Sequence, residues 1–414
     1  MSSTETYLIV GASLAGAKAA EALRDKGFDG HIVLIGAESH LPYERPPLSK
    51  GYLAGSAQRE KVFVHPESWY AEHGIELRLN QTVSRIDRDA RLVELADGSQ
   101  LGYDKLLLTT GARPRTLSLP GADADGVYLL RTLDDSDSLR ELLARISRLV
   151  VIGAGWIGLE VTAAARQAGV EVTVIESAEL PLLRVLGPEV ARVFADLHVQ
   201  RGVDFRFKAS LAEIRTSNGR ATGVSLGDGT VIEADAVLVA VGIAPNGELA
   251  EAAGLSVDNG IVVDSSLRTS DSRIFAAGDV ANARNAFYDK QIRVEHWANA
   301  LNQPVTAAAS MLDQPASHDQ LPYFFTDQYD LGMEYVGYVD QGGYDQVIFR
   351  GDLAGREFIA FWVKDGRVLA GMNVNVWDVV DDIKGLIRSQ AAIPADRLAD
   401  PATPLAELAG VPAD

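Results

Sequence analysis

Two glycine-punctuated turns carry the chemistry most readable in this sequence. Gly11-Ala-Ser-Leu-Ala-Gly16 and Gly153-Ala-Gly-Trp-Ile-Gly158 each follow a short apolar run, and each opens an Ala- and Leu-rich stretch of helical period. Glycines at these positions let the chain turn tightly and let its backbone approach a pyrophosphate, which sits on the N–H groups of the helix N-terminus. An acid follows each turn: Glu38 lies 22 residues past Gly16, and Glu176 lies 18 past Gly158. That is near the ~20 expected of a carboxylate that accepts from a ribose hydroxyl. One such motif is weak. Two copies, each with strand, helix and spaced acid, point to dinucleotide binding, against the blander reading of two Gly-rich turns in an α/β core. Ser13 replaces the middle glycine of the first copy; its Cβ crowds the phosphate or its hydroxyl donates to it.

The elements that must position these residues repeat. Residues 7–23 and 149–165 both read as strand, turn and helix, and each is followed by a second strand ending in its acid, 31–38 and 171–176. Two further apolar strands, 103–114 and 232–246, run into glycine turns at Gly111 and Gly242 and read as chain crossings between two nucleotide domains. Another apolar strand ends at Asp279. The pattern turns helical from Ala298 to about Leu312, then alternates as antiparallel strands in 335–349 and 357–363, then turns helical again over 379–390. The tail after Ala391, rich in Pro, Ala and Asp, is expected to pack loosely.

Composition narrows the function classes. A chain of 414 residues with 47% apolar and 23% charged residues is ordinary globular protein, with length for two to three domains. Its 38 Lys and Arg against 57 Asp and Glu leave a net charge of −19, a poor match for nucleic acid. The absence of cysteine excludes disulfides, thiolate nucleophiles, a redox CxxC and a thiolate-held iron–sulfur cluster within the chain. The seven histidines are scattered without metal-ligand spacing, so no metal site is expected. The longest apolar stretch, 149–165, is interrupted by Glu160 and three glycines, too short and broken for a membrane span. A polar N-terminus running directly into a strand leaves no room for a targeting segment, and a cytoplasmic location is expected.

With the two dinucleotide motifs stand the segments TTGARP (109–114), AAGD (276–279) and PYERPPLSK (42–50). Together they resemble the FAD-dependent pyridine-nucleotide reductases of the glutathione reductase fold. Within these they are most similar to the ferredoxin reductases of bacterial oxygenases, of the putidaredoxin-reductase and biphenyl-dioxygenase type. The resemblance covers nearly the whole chain, including PYFFTDQYD (322–330). It implies an α/β fold with two Rossmann-like domains and a C-terminal α+β domain. An FAD-binding domain would comprise 1–112 and 243–320, an NAD-binding domain 113–242, and the C-terminal domain 321–414. FAD would be held by Gly11, Ser13, Ala15, Gly16, Glu38, Arg45, Lys50, Val83, Gly111, Arg131, Asp279 and Trp297. NADH would be held by Gly153, Gly155, Ile157, Gly158, Glu176 and Gly242.

The resemblance makes Lys50 and Glu160 the catalytic pair, with the ammonium stabilising charge that develops on the flavin and the carboxylate orienting it. Read without it, Lys50 is a loop lysine and Glu160 an acid favoured near a helix N-terminus. Glu176 favours NADH over NADPH, because it repels a 2′-phosphate; Arg184, eight residues on, opposes this if turned inward. Disulfide-reducing and peroxide-reducing relatives need sulfur. Here the comparable stretch carries Ser49, so electrons must leave the flavin for an external acceptor. The implied partner is an iron–sulfur ferredoxin supplying an oxygenase, reached by hydride transfer and then single-electron transfers. Two alternatives stand beside it: an NADH-sensing flavoprotein with a long-lived nucleotide complex, and a reductase of a small organic acceptor. Phe325 stands where many relatives carry tryptophan, or is a core aromatic of the third domain. Arg284, Lys290 and Arg293, close to Trp297, are candidates for docking an acidic ferredoxin. Oligomeric state is left open.

Overall fold

The computed structural model describes residues 5–408. The duplicated text folds into duplicated structure. In the first copy, strand β1 (Thr6–Val10) leads into helix α1 (Leu14–Asp25) and strand β2 (His31–Ile35). In the second, strand β3 (Arg148–Ile152) leads into helix α2 (Trp156–Gln167) and strand β4 (Glu171–Ile175). All four strands are rich in Val, Ile and Leu, and their residues are buried apart from the first of each and the central Thr173 of β4. That is how a parallel strand covered on both faces reads. Both helices are rich in alanine, the strongest helix former. Both stop in the same way, at a left-handed glycine: Gly27 with φ +86° and Gly169 with φ +85°.

The chain divides into two compact units: Met1–Arg45, Gln58–Arg113 and Ile243–Pro322 form the first, and Pro46–Ala57, Pro114–Gly242 and Tyr323–Asp414 form the second. In the first unit β1 is the centre of a five-stranded parallel sheet. Residues 105–108 and then 274–276 lie on one side of it, β2 and then 75–78 on the other. Helix α3 (Trp297–Met311) packs on α1. The core of this unit gathers Leu8, Ile9, Leu34, Leu107 and Phe275, all fully buried.

In the second unit β3 is central in the same way. Residues 236–239 and 127–128 lie on one side, β4 and 204–206 on the other, all parallel. This unit also holds a three-stranded antiparallel sheet (211–217, 220–226, 231–233) and a five-stranded antiparallel sheet that starts with β5 (Tyr323–Gln328) and has the order 323–328, 331–337, 367–374, 357–364, 346–352. The inner face of the five-stranded sheet joins the core of the β3 sheet: Val151, Leu238 and Phe194 share one apolar cluster with Trp362, Met372 and Phe358.

One expectation about the tail is corrected. Residues 395–399 and 405–408 form short helices, and Leu398, Leu405 and Leu408 are buried. Arg350 holds the segment between them, donating to the carbonyls of Asp400 (2.7 Å), Pro401 (3.4 Å) and Thr403 (2.5 Å). Spaced leucines outweigh the Pro and Asp around them. The tail is packed as far as residue 408; residues 409–414 lie outside the described residues.

Candidate active site

The two glycine turns have the shape a dinucleotide needs. Gly11 has φ +120°, and a Cβ there would stand 2.2 Å from the Thr109 carbonyl oxygen. A Cβ on Gly16 would meet the Gly11 oxygen at 2.0 Å, so α1 starts flush against the turn. The second copy repeats this: a Cβ on Gly153 would lie 2.4 Å from the Ala240 oxygen, and one on Gly158 would lie 2.2 Å from the Gly153 oxygen. At Gly155, the residue capping α2, a Cβ would point into open space with nothing within 4 Å. The first turns of α1 and α2 carry no acid, so their N–H groups meet an anion without a competing carboxylate. FAD and NADH fit these cradles.

Around the first cradle the sequence-named residues gather by local folding. Ser13 caps α1 and its hydroxyl approaches the Tyr43 carbonyl at 3.5 Å. Ala15 is buried in the first turn, opposite Gly278. Glu38 accepts from the Tyr43 hydroxyl, and from Arg45 at 3.2 Å, whose guanidinium lies 5.2 Å from the Tyr43 ring centroid. Trp297, first residue of α3, donates its indole N–H to Glu44 at 3.2 Å. The Asp279 carbonyl accepts from Arg293 at 3.3 Å. Gly111 accepts from the Asn246 N–H at 2.9 Å, and Val83 begins a strand packed on this core. Tyr43 and Glu44, which sequence reading passed over, lie inside the flagged PYERPPLSK run.

In the second unit Glu176 is braced rather than free to swing. One oxygen accepts from the Ala154 N–H at 2.8 Å, the other from the Ala178 N–H at 2.8 Å and Ser177 at 3.1 Å. Each oxygen keeps lone-pair capacity for a ribose hydroxyl. Ile157 is exposed beside the cradle, and Gly242 turns with φ +98° and accepts from the Arg115 N–H. Arg184 is exposed. Arg131 belongs to this unit; its N–H donates to Asp135 at 3.0 Å in front of the capping box that Thr132 and Asp135 form on helix Leu133–Leu143.

The same unit brings Lys50 and Glu160 together. Lys50 Nζ lies 2.8 Å from Glu160 Oε1, with side-chain exposures of 13% and 3%. Pro46 and Pro47 restrict φ in the tight turn before Lys50, and helix Leu133–Leu143 holds that turn, with Ser136 donating to the Leu48 carbonyl at 2.8 Å and Tyr52 to Asp137. Glu160 accepts two more hydrogen bonds, from Ser49 at 2.5 Å and from Thr326 at 2.6 Å. A buried carboxylate needs such partners to stay charged. The Phe325 ring centroid lies 5.3 Å from Lys50 Nζ, within cation–π range. Sequence reading missed Thr326, although its spacing with Gln328 on β5 puts both on one face, and both are buried.

Of the basic docking candidates, Arg284 and Lys290 are exposed on one hairpin, whereas Arg293 is not. The Arg293 side chain is 9% exposed and pairs with Glu295, while Arg284 pairs with Asp289 across its own hairpin. Arg293 is a structural cation beneath the Asp279 loop, not a surface one.

Comparison with known proteins agrees with this architecture. Residues 5–303 match the family model of the pyridine nucleotide-disulphide oxidoreductases, and residues 323–409 match the reductase C-terminal model. The chain is 39% identical over 413 residues to putidaredoxin reductase of Pseudomonas putida, covering 99% of this chain and 97% of that protein. It is 42% identical over 401 residues to the ferredoxin–NAD(+) reductase component of the anthranilate 1,2-dioxygenase system of Burkholderia cepacia, covering 96% and 98%. Among solved structures, the covalent putidaredoxin reductase–putidaredoxin complex superposes with a TM-score of 0.94 at 39% identity, covering 98% of each chain. The α/β fold with a C-terminal α+β domain is thereby borne out. On its glycine cradles, its paired parallel sheets and these matches, the chain belongs to the pyridine nucleotide-disulphide oxidoreductase family.

Proposed function

We propose that this protein is an NADH-dependent, FAD-containing ferredoxin reductase that supplies electrons to an oxygenase through an iron–sulfur ferredoxin, and that it works in the cytoplasm. Near full-length similarity to reductases of this kind supports the reading. The observation that carries it is the buried Lys50–Glu160 pair in a chain without a cysteine. FAD, when bound, takes hydride from NADH and releases electrons singly, which is the chemistry a one-electron iron–sulfur acceptor requires.

The chain's own residues place and tune these groups. Residues 1–112 and 243–320 form the FAD-binding domain, 113–242 the NAD-binding domain and 321–414 the C-terminal α+β domain. Gly11, Ser13, Ala15 and Gly16 cradle the FAD pyrophosphate, and Glu38 accepts from its ribose. Val83, Gly111, Arg131, Asp279 and Trp297 complete that site, with Arg45 holding Glu38. Gly153, Gly155, Ile157, Gly158 and Gly242 form the NADH cradle, and Glu176 accepts from the ribose hydroxyls and disfavours a 2′-phosphate. Glu160 orients the Lys50 ammonium, and that fixed charge stabilises negative charge developing where hydride arrives. Ser49, at the position where peroxide-reducing relatives carry a cysteine, supplies a donor to Glu160 in place of a sulfur nucleophile.

Anaerobic stopped-flow tests the reading. The flavoprotein, reduced with one equivalent of NADH, is mixed with an oxygenase-system ferredoxin. Flavin reoxidation and cluster reduction rising together, within seconds, is the expected result. Rapid reoxidation by a quinone with no cluster reduction by any such ferredoxin would overturn it.

A further inference from the structure

Glu160 is the innermost acceptor of a hydrogen-bonded chain that continues well past Lys50. Thr326 donates to Glu160 Oε1, the same oxygen that takes the Lys50 ammonium, at 2.6 Å. Thr326 in turn accepts from the Gln328 amide N–H at 3.2 Å. The Gln328 carbonyl oxygen lies 2.8 Å from His198 Nε2, and His198 Nδ1 lies 3.3 Å from the Tyr329 hydroxyl. Thr326, Gln328 and His198 are each no more than 1% exposed.

Donor rules fix every direction along this chain. A carboxylate only accepts, so the Thr326 hydroxyl hydrogen must point at Glu160, and its lone pair is left for Gln328. Gln328 therefore presents its amide nitrogen to Thr326 and its oxygen to His198. His198 must then carry its proton on Nε2, which leaves Nδ1 to accept from Tyr329. Burial holds this histidine neutral and pushes its pKa down to about 4, against the Gln328 bond, which raises it. No member of the chain can reverse without breaking a buried hydrogen bond.

We propose that Thr326 is a positioning residue for Lys50, oriented by Gln328 and His198, so that the C-terminal antiparallel sheet fixes the place of the Lys50 ammonium through Glu160. The inference rests on the reading of Lys50 as the catalytic cation. It does not depend on which acceptor takes the electrons. Replacing the Thr326 hydroxyl by a methyl group would remove one of the two donors to Glu160 Oε1 and set hydrocarbon in its place, loosening the carboxylate that anchors the ammonium. An ammonium whose anchoring carboxylate is loosened moves more freely and is more open to reagents.

The test compares T326V, T326S and Q328L with the parent protein. Acylation of Lys50 is followed on the holoprotein by peptide mass spectrometry, with the remaining lysines as internal controls. T326V is expected to raise the Lys50 acylation rate about tenfold, the effect of losing one hydrogen bond to a charged group, and T326S to restore it. Q328L, which keeps the Thr326 hydroxyl but removes its orienting partner and that of His198 Nε2, is expected to raise it about threefold. With the holoprotein, T326V is expected to slow flavin reduction at saturating NADH while KM for NADH stays within about twofold. Unchanged Lys50 acylation in T326V would overturn the proposal, as would T326S behaving like T326V. Should T326V fail to fold, Q328L decides: unchanged acylation overturns the proposal and increased acylation supports it. None of these readouts uses a ferredoxin, so failure of the acceptor assignment leaves them interpretable.

Discussion

A carboxylate with 3% of its side chain exposed survives as a charge only where donors surround it, and Glu160 has three. This makes the Lys50–Glu160 pair asymmetric. Lys50→Met removes the cation but leaves Glu160 with Ser49 and Thr326; the protein should fold, retain FAD and lose about 10- to 100-fold in the rate of flavin reduction by NADH, read by stopped-flow. Glu160→Leu strands a buried ammonium and two hydroxyls, and should cost about 3 kcal/mol of stability as well, read by urea unfolding. Glu176 gives a third prediction. Its replacement by alanine should raise KM for NADH about tenfold and narrow the preference over NADPH, and an unchanged ratio would show that it does not contact the ribose. Glu176 was legible because motif spacing places it, and Glu160 only through the family resemblance. Ser49 and Thr326 were not, because they lie 111 and 166 residues from Glu160 along the chain. No local pattern pairs a strand threonine with a helix glutamate that distant.

Strand, turn and helix in each nucleotide unit depend on glycine for two separable reasons, and alanine scanning separates them. Gly158→Ala sets a Cβ 2.2 Å from the Gly153 carbonyl oxygen and should cost about 3 kcal/mol by overpacking. Gly155→Ala meets no protein atom within 4 Å. The protein should melt normally yet bind NADH more weakly, because the added methyl occupies the cradle. The repeated elements were legible from apolar runs and helical period. The tail was misread because composition was weighed over periodicity. Leu398 is fully buried, on a helix packed against strand 346–352, so Leu398→Ala should destabilise by about 3 kcal/mol, whereas a loose tail would lose nothing. Arg293 was misread for a related reason: a charge in a hairpin was taken as a surface charge, but its stem packs close to Gly260 and its head is held by Glu295 and the Asp279 carbonyl.

At the scale of the molecule, three histidines predict acid sensitivity. Burial pushes His198, His296 and His318 down to about 4, opposed by the Gln328 bond for the first and by the charges of Asp279 and Asp319 for the others. The unfolded chain protonates near the ordinary 6.5, so their contribution is fully present above that pH and is lost as pH falls toward 4. Each contributes a slope of up to about 1.4 kcal/mol per pH unit in that window. The urea midpoint of the holoprotein should drop between pH 7 and pH 5; a flat midpoint would mean that these side chains already carry charge or contact water. The two-sheet architecture was legible because the motif occurs twice. The burial of individual histidines was not, since a lone histidine has no periodic partner.

The division of the chain carries a consequence for biosynthesis. The two units exchange the chain at 45/46, 57/58, 113/114, 242/243 and 322/323. The first unit has its central strand within ten residues of the start, but it waits for the edge strand Ile274–Ala276 and for α3 until residue 311 has been made. The second unit opens with the Lys50 turn and cannot close its shared core until strand Arg367–Val374 exists. A nascent chain therefore carries two open sheets at once from the synthesis of β3 until residue 311 has been made. Contacts of such long sequence separation form slowly, with apolar strands exposed in the interval. Production in cells should be limited by aggregation of these half-built sheets, and slower synthesis or holdase chaperones should raise the soluble yield more than any stabilising surface substitution.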